Sequence, residues 1–213
     1  MAEDQHAAKR RRFTSNIATL KVGPSLEKIS VHETLLRDNS EFFQGALERK
    51  WENGQPREIE LATDEINVVT AYVDYLYSKS VKVDRTEAGH TDFNFLAHLY
   101  CFGEEILDSG FCDAVMTALL AHIDQRNKKG GFTYPGEEMV NIVYNNTAAD
   151  SLMRRFLVDM FAQRANSNNW ASIGDVPPQF QKNLLDELFK VRPAPGPHGP
   201  VSPHLGKWLK AKK

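Results

Sequence analysis

The stretch KISVHETLLRDNSEFFQGALERKW, residues 28–51, changes its period partway, and that change decides how the chain folds. Residues 27–32, EKISVH, alternate, with Ile29 and Val31 on one face, which is the signature of a half-buried strand. Residues 34–38 then read as a short helix. Ser40, ahead of Phe42, Phe43, Ala46 and Leu47, reads as the N-cap of a second helix, because a serine hydroxyl accepts from an unpaired N–H of the first turn. His32 stands at the corner between strand and helix. Histidine is a common catalytic residue, but no serine, cysteine or carboxylate motif is arranged around this one. A structural hydrogen bond through one ring nitrogen is the expectation.

Outward from this stretch the pattern is consistent. Upstream, FTSNIATLKV at residues 13–22 is rich in β-branched and apolar residues and is broken by Gly23-Pro24, which predicts a β-hairpin with residues 27–32. Downstream, EIEL at 58–61 follows an Asn53-Gly54 turn and predicts a third short strand. From Ile66, the spacing of Val69, Val73, Leu76 and Tyr77 predicts a helix. Residues 79–92 break that pattern, with Val81 and Val83 reading as one more short strand. Two packed helices follow, one carrying Leu96, Leu99, Tyr100, Gly103, Ile106 and Leu107, the other Phe111, Val115, Leu119, His122 and Ile123. After a break at 128–131, Pro135-Gly136 opens a helix bearing Met139, Ile142 and Val143. Residues 152–165 are expected to bury Met153, Phe156, Leu157, Met160 and Phe161, and a last helix after Pro177-Pro178 to bury Leu184, Leu185, Leu188 and Phe189. The fold class is α+β: a small, mostly N-terminal sheet capped on one face by helices that carry most of the core.

The 213 residues are 41% hydrophobic and 25% charged, an ordinary globular composition with room for a proper core. No run approaches the roughly 18 apolar residues of a membrane span. MAEDQHAAKRRRF at the N-terminus has basic residues but no apolar segment behind them, so it does not read as a secretory signal, and an intracellular, cytoplasmic or nuclear location is expected. The net charge of −2 is unevenly distributed: residues 1–12 carry +2 and residues 191–213 carry +5, which leaves −9 on residues 13–190. An acidic body with basic ends is not the footprint of a nucleic-acid-binding fold. Lys9, Arg10, Arg11 and Arg12 form a candidate nuclear localisation signal. Beyond Val191, five prolines and three glycines mark an extended tail, with Trp208 and Leu209 as its apolar exception and a candidate docking motif.

The chemistry-bearing motifs are missing. No glycine-rich run precedes Lys-Ser/Thr, and there is no G-x-S-x-G, H-E-x-x-H or CxxC. Cys101 and Cys112 fall inside helical patterns and read as buried free thiols rather than a disulfide. His98 and Cys101 lie three apart on one helix, a spacing that can seat two metal ligands, but His90 sits in a loop and no third ligand follows the pattern. Glu104-Glu105 and Glu137-Glu138 are adjacent pairs whose side chains diverge on a helix. Asn145-Asn146-Thr147 matches a glycosylation sequon, which has meaning only in a secreted protein. No catalytic, cofactor-binding or metal site is expected.

Several features of residues 17–77, taken in order, resemble the BTB/POZ domain: ATLKVG before the turn, ISVH with TLL, SEFF, IEL, and VVTAYVDYLYS. YCFGEEILDSGFCDAVMTAL is similar to the helix pair that follows the core of such domains. IVYNNTAADSLMRRFLVDMFA, residues 142–162, is similar to the Tyr-x-Asn-Thr, Ser-x-x-Arg-Arg helix of the fungal type with a C-terminal helical extension. The resemblance covers roughly residues 13–190 and implies a BTB/POZ domain at 13–126 and a helical extension at 132–190; the basic, flexible N-terminus at 1–12 and the Pro/Gly-rich basic tail at 191–213, both read from composition, lie outside it. It implies a non-enzymatic protein-interaction module that forms homodimers, with Leu35, Leu36, Phe42 and Phe43 at the dimer contact. Some relatives serve as substrate adaptors for a cullin-type ubiquitin ligase. Here the residues aligned with their hydrophobic-x-Glu motif are Trp51, Glu52 and Asn53, so the hydrophobe is present and the acid replaced. Transcription-regulating relatives have an acid at the first strand and a base after the histidine, forming a charged pocket. This chain has Asn16 and Glu33 at those positions, so that ion pair is absent.

Overall fold

The structure, a computed structural model, describes residues 16–48, 57–83, 91–123, 134–164 and 174–191. β1 (Ile17–Val22) and β2 (Glu27–His32) form the expected hairpin, antiparallel with Ile17 opposite His32 and Val22 opposite Glu27. Gly23 turns the chain at φ +69°, a left-handed conformation that costs glycine little. β3 (Glu58–Leu61) runs parallel to β1, Thr19 opposite Glu58 and Val22 opposite Leu61. The strand order is therefore β2-β1-β3, with the first strand at the centre.

Alternation gives the sheet two unlike faces. Ala18, Leu20, Val22, Val31, Ile59 and Leu61 are buried against helices. On β1, Lys21 meets Glu58 of β3 at 2.5 Å, and Lys28 of β2 reaches the same carboxylate at 3.4 Å. The carboxylate of Glu58 is held below its usual range, first by its hydrogen bond to Lys21. Among the described residues the helices thus cap the sheet on one face, as its few strands require.

Eight helices follow among the described residues: α1 (Glu33–Asn39), α2 (Glu41–Glu48), α3 (Ile66–Ser78), α4 (Phe93–Glu105), α5 (Ser109–Ile123), α6 (Glu137–Asn146), α7 (Leu152–Arg164) and α8 (Pro178–Val191). Ser40 joins α1 to α2: its N–H donates to Leu36 at 3.1 Å and its hydroxyl accepts from the Phe43 N–H at 3.1 Å, as an N-cap does. Pro178 opens α8 at a position where the missing N–H costs nothing. Residues 81–83 form no strand, in contrast to the expectation from Val81 and Val83. Both side chains pack partly buried against the helices instead, and that packing explains the apolar residues.

One hydrophobic cluster runs from Ala18 to Leu184, so helices on both sides of residues 127–131 share a core. Its centre is aromatic. Tyr72 lies edge-on to Phe111 at 5.0 Å and to Phe102 at 5.5 Å. Gly103 lets α4 and α5 approach, since a Cβ there would stand 2.8 Å from Cys112 Sγ. On α3 the buried face is Val68, Val69, Tyr72, Tyr75 and Leu76. That is rotated from the expected stripe, because Tyr77 turns outward toward His32.

The last helix departs most from expectation. Phe180 and Leu184 are buried, with Phe180 edge-on to Tyr144 at 5.4 Å and Phe161 at 5.3 Å. Leu185, Leu188 and Phe189 are instead 55%, 40% and 68% exposed. Apolar residues occupy two faces of α8, and only one of them can dock on α6 and α7.

Candidate protein-interaction surface

The corner at His32 is tied to α3. The His32 ring Nδ1 lies 2.7 Å from the Tyr77 hydroxyl, the His32 backbone N–H donates to the same oxygen at 3.3 Å, and the rings meet edge-on at 5.9 Å. The histidine is half-buried, and its ring nitrogen is engaged in structure. No local pattern links Tyr77 to His32, because 45 residues separate the two.

Glu33, beside it, is buried. Its N–H donates to the Asn16 carbonyl at 2.8 Å, which makes Asn16 and Glu33 backbone neighbours. The Glu33 Oε1 is shared by Arg37 at 3.2 Å and by Arg57, whereas Oε2 has no hydrogen-bond partner among the described residues. A carboxylate this deep would be prohibitive without a counter-charge. The two arginines supply it from within the chain.

Of the four residues expected at a dimer contact, Leu35, Leu36 and Phe43 are buried in the chain's own core, and Phe42 is 41% exposed. The exposed phenylalanine has a neighbour that sequence spacing does not reveal. The α4–α5 corner lies against the start of α2: the Phe42 N–H donates to the Ile106 carbonyl at 3.4 Å, the Glu41 N–H to the Leu107 carbonyl at 3.5 Å, and the Ser40 hydroxyl to the Ile106 carbonyl. Leu107 is 57% exposed at φ +56°, a conformation that costs an L-residue with a large side chain about 1–2 kcal/mol. The corner itself is firmly held. Asp108 next to it is buried, caps α5 by accepting from the Phe111 N–H at 2.8 Å, and accepts from the Tyr72 hydroxyl at 3.0 Å. Burial and the charge of Asp108 push the Tyr72 phenol up. Phe42 and Leu107, each an exposed apolar residue, thus sit on two hydrogen-bonded backbone segments, and this pair of segments is the chain's candidate apolar edge.

The remaining candidates do not converge on a reaction. His98 and Cys101 line one cavity of about 650 Å³ together with Asp64, Glu65, Glu104, Glu105 and Thr147. Burial pushes the Cys101 thiol up to about 12, the charge of Glu104 adding to it, and burial does the same to Cys112; such thiols are poor nucleophiles near neutrality. Burial, with Glu105 second, raises the Asp64 carboxyl to about 6. No group of three histidine, cysteine, aspartate or glutamate side chains suited to a metal ion occurs among the described residues. Each acidic pair borders one cavity, but the carboxylates of Glu104, Glu137 and Glu138 are engaged by structural donors. Glu104 accepts from Ser151 at 2.7 Å; Glu137 accepts from the Gly174 N–H at 3.0 Å, whereas Glu138 accepts from Asn94.

The Ser-x-x-Arg-Arg segment proves structural. Arg154, buried, donates to Thr147 Oγ1 at 2.9 Å and to the carbonyls of Tyr144 and Thr147, and its guanidinium lies 4.6 Å from the Tyr144 ring centre. It closes the α6–α7 turn. Trp51, Glu52 and Asn53, the Lys9–Arg12 run and Trp208 with Leu209 lie outside the described residues. Among the described residues, no helix is long and apolar enough to cross a membrane.

No family model and no curated protein matches the chain. Among solved structures, the BTB (Tramtrack and Bric a brac) domain of human gigaxonin is similar over 54% of this chain and 92% of its own, at 20% identity and a TM-score of 0.40. The BTB domain of zebrafish PATZ1 is similar over 55% of this chain and 94% of its own, at 16% identity and a TM-score of 0.41.

Proposed function

We propose that this chain is a non-enzymatic protein-interaction module of the BTB/POZ type, a self-associating scaffold or adaptor. The observation that carries the reading is the edge formed by Phe42 and Leu107, two large apolar side chains displayed on a braced corner. Apolar anchors at the centre of a contact supply most of the energy of association. The ordered succession of ISVH, TLL, SEFF, IEL and the YLYS helix end supports the BTB/POZ assignment. On this reading α1 and α2 lie at the homodimer contact, with Phe42 as the residue that reaches the partner. Leu35, Leu36 and Phe43 support it from beneath.

Within this class, the finer reading is a substrate adaptor for a cullin-type ubiquitin ligase, using the segment around Trp51, Glu52 and Asn53. A nuclear transcription-associated regulator delivered by Lys9–Arg12 is the alternative. Sedimentation velocity of the full chain over a concentration series is expected to give a reversible dimer, and a strict monomer at every concentration would overturn self-association. Affinity purification from the native cell with quantified partners separates adaptor from scaffold, since stoichiometric recovery of a cullin is expected only of the former. Unchanged localisation after replacing Lys9–Arg12 by alanine would remove the nuclear reading.

A further inference from the structure

The outer face of α8 presents Leu185, Leu188 and Phe189, at positions i, i+3 and i+4, to solvent. This stripe is the most exposed set of large apolar residues on any one helix described, and it ends next to Val191, where the basic tail begins. In the tail, Leu205, Trp208 and Leu209 repeat the same i, i+3, i+4 spacing, which would place all three on one side of a helical turn. The lysines of that segment, Lys207, Lys210, Lys212 and Lys213, fall between and after them.

We propose that residues 205–209 dock onto the Leu185, Leu188 and Phe189 stripe of the same chain, so that the C-terminal tail covers the exposed face of the last helix. Three considerations select this occupant. The first is pattern: two short apolar triplets of equal spacing cover each other without leaving a hydrophobe outside. The second is overall charge, since a tail of +5 approaches a body of −9; on the helix itself Asp186 and Glu187 are paired with Lys182 and Lys190, so the stripe is flanked by neutralised charges that do not repel the tail. The third is reach. Residues 192–204 form a spacer containing five prolines, which extended would measure about 40 Å. The stripe begins only about 9 Å back from the helix end, so the spacer has ample length to return, and Gly196 and Gly199 allow it to turn. A tether of this kind sets an effective concentration of about 1 mM, which favours the chain's own tail over a second copy.

The test uses the full chain with Trp51→Phe and Trp170→Phe, leaving Trp208 as the one tryptophan. Its emission is expected to be blue-shifted and its acrylamide quenching several-fold below that of a peptide of residues 200–213, independent of protein concentration. Leu188→Asp on α8 is expected to return both readings to the peptide's values. Emission and quenching equal to the peptide's, or unaffected by Leu188→Asp, would overturn the proposal. Shielding that grows with concentration would overturn it too, assigning the stripe to a second copy. An independent reading on the otherwise native sequence is amide exchange: Trp208→Ala with Leu209→Ala is expected to speed exchange of residues 185–191 several-fold, and unchanged exchange there would count against docking.

Discussion

Leu107→Asn separates two roles that a surface leucine can have. In the chain's own fold, Leu107 is less than half buried, so its loss removes less than half of the roughly 1.5–3 kcal/mol that burying a leucine gives, about 1 kcal/mol. Against this, its φ of +56° costs leucine about 1–2 kcal/mol, and asparagine tolerates that region better. The two nearly cancel, and unfolding should change by no more than about 1 kcal/mol. For a chain of this size that is at most about 4 °C in Tm. At a dimer contact the balance is different, because the apolar anchor is lost outright and nothing offsets it. An anchor worth about 1.4–2.8 kcal/mol weakens association about 10- to 100-fold. The assay is therefore paired: thermal unfolding, and sedimentation over a concentration series, on the same preparation. The expected outcome is a weakened dimer with a Tm within about 4 °C of the parent's when both are measured at a concentration where the monomer predominates, since dimerisation itself raises Tm by mass action. A dimer constant within twofold of the parent's would refute the assignment of this edge as an interface, and a Tm lower by more than about 8 °C would show that Leu107 holds the chain together.

Tyr72 and Arg154, which are buried, and Asp64, which is partly buried, each carry a further expected outcome. Tyr72→Phe deletes the hydrogen bond to the Asp108 carboxylate and should cost about 1.5–3 kcal/mol by urea unfolding; a loss below about 0.5 kcal/mol would show that the α5 cap does not depend on it. Asp64→Asn tests the raised carboxyl. A folded value of about 6, above its ordinary 3.8, means the folded chain holds this proton more tightly. Its contribution to stability is complete below about pH 4 and is lost as pH rises through 6. The asparagine variant escapes that loss, so its advantage should grow between pH 4 and 7 to about 1 kcal/mol, after discounting for partial exposure; parallel pH profiles would refute it. Arg154→Lys cannot serve both carbonyls and Thr147 with the planar fork, and should cost about 2–4 kcal/mol, measured as a lower urea midpoint.

The hairpin, the Ser40 cap and the helix order were legible because they are local. Alternation at Ile29 and Val31, Gly23 at a turn, and a serine ahead of Phe42 and Phe43 each act within a few residues. What escaped was what tertiary packing decides. The pairing of β3 with β1 leaves no period to read. Tyr77 continues the apolar spacing of α3, which points to the buried face, but its hydroxyl meets His32 instead. In α8, spacing alone could not say which apolar face docks, since Leu184 and Leu185 each belong to a plausible stripe. Leu35, Leu36 and Phe43 were recognisable as apolar, but only packing shows that they face inward and Phe42 outward. The Phe42 and Leu107 edge joins residues 65 positions apart, and no pattern within either segment points to the other.

The central place of β1 has a consequence for how the chain assembles. Its antiparallel neighbour is four residues away through the turn at Gly23, while its parallel neighbour β3 begins 35 residues after β1 ends. Closing the longer loop costs about 2 kcal/mol more in chain entropy than closing the shorter. The hairpin with α1 and α2 can gather early from near neighbours, but the sheet is complete only when β3 returns. During synthesis the strand that organises the sheet is therefore made first and waits, its inner edge open, for a segment still to emerge. α1 and α2, made in that interval, are the elements placed to shelter its apolar side until the third strand arrives.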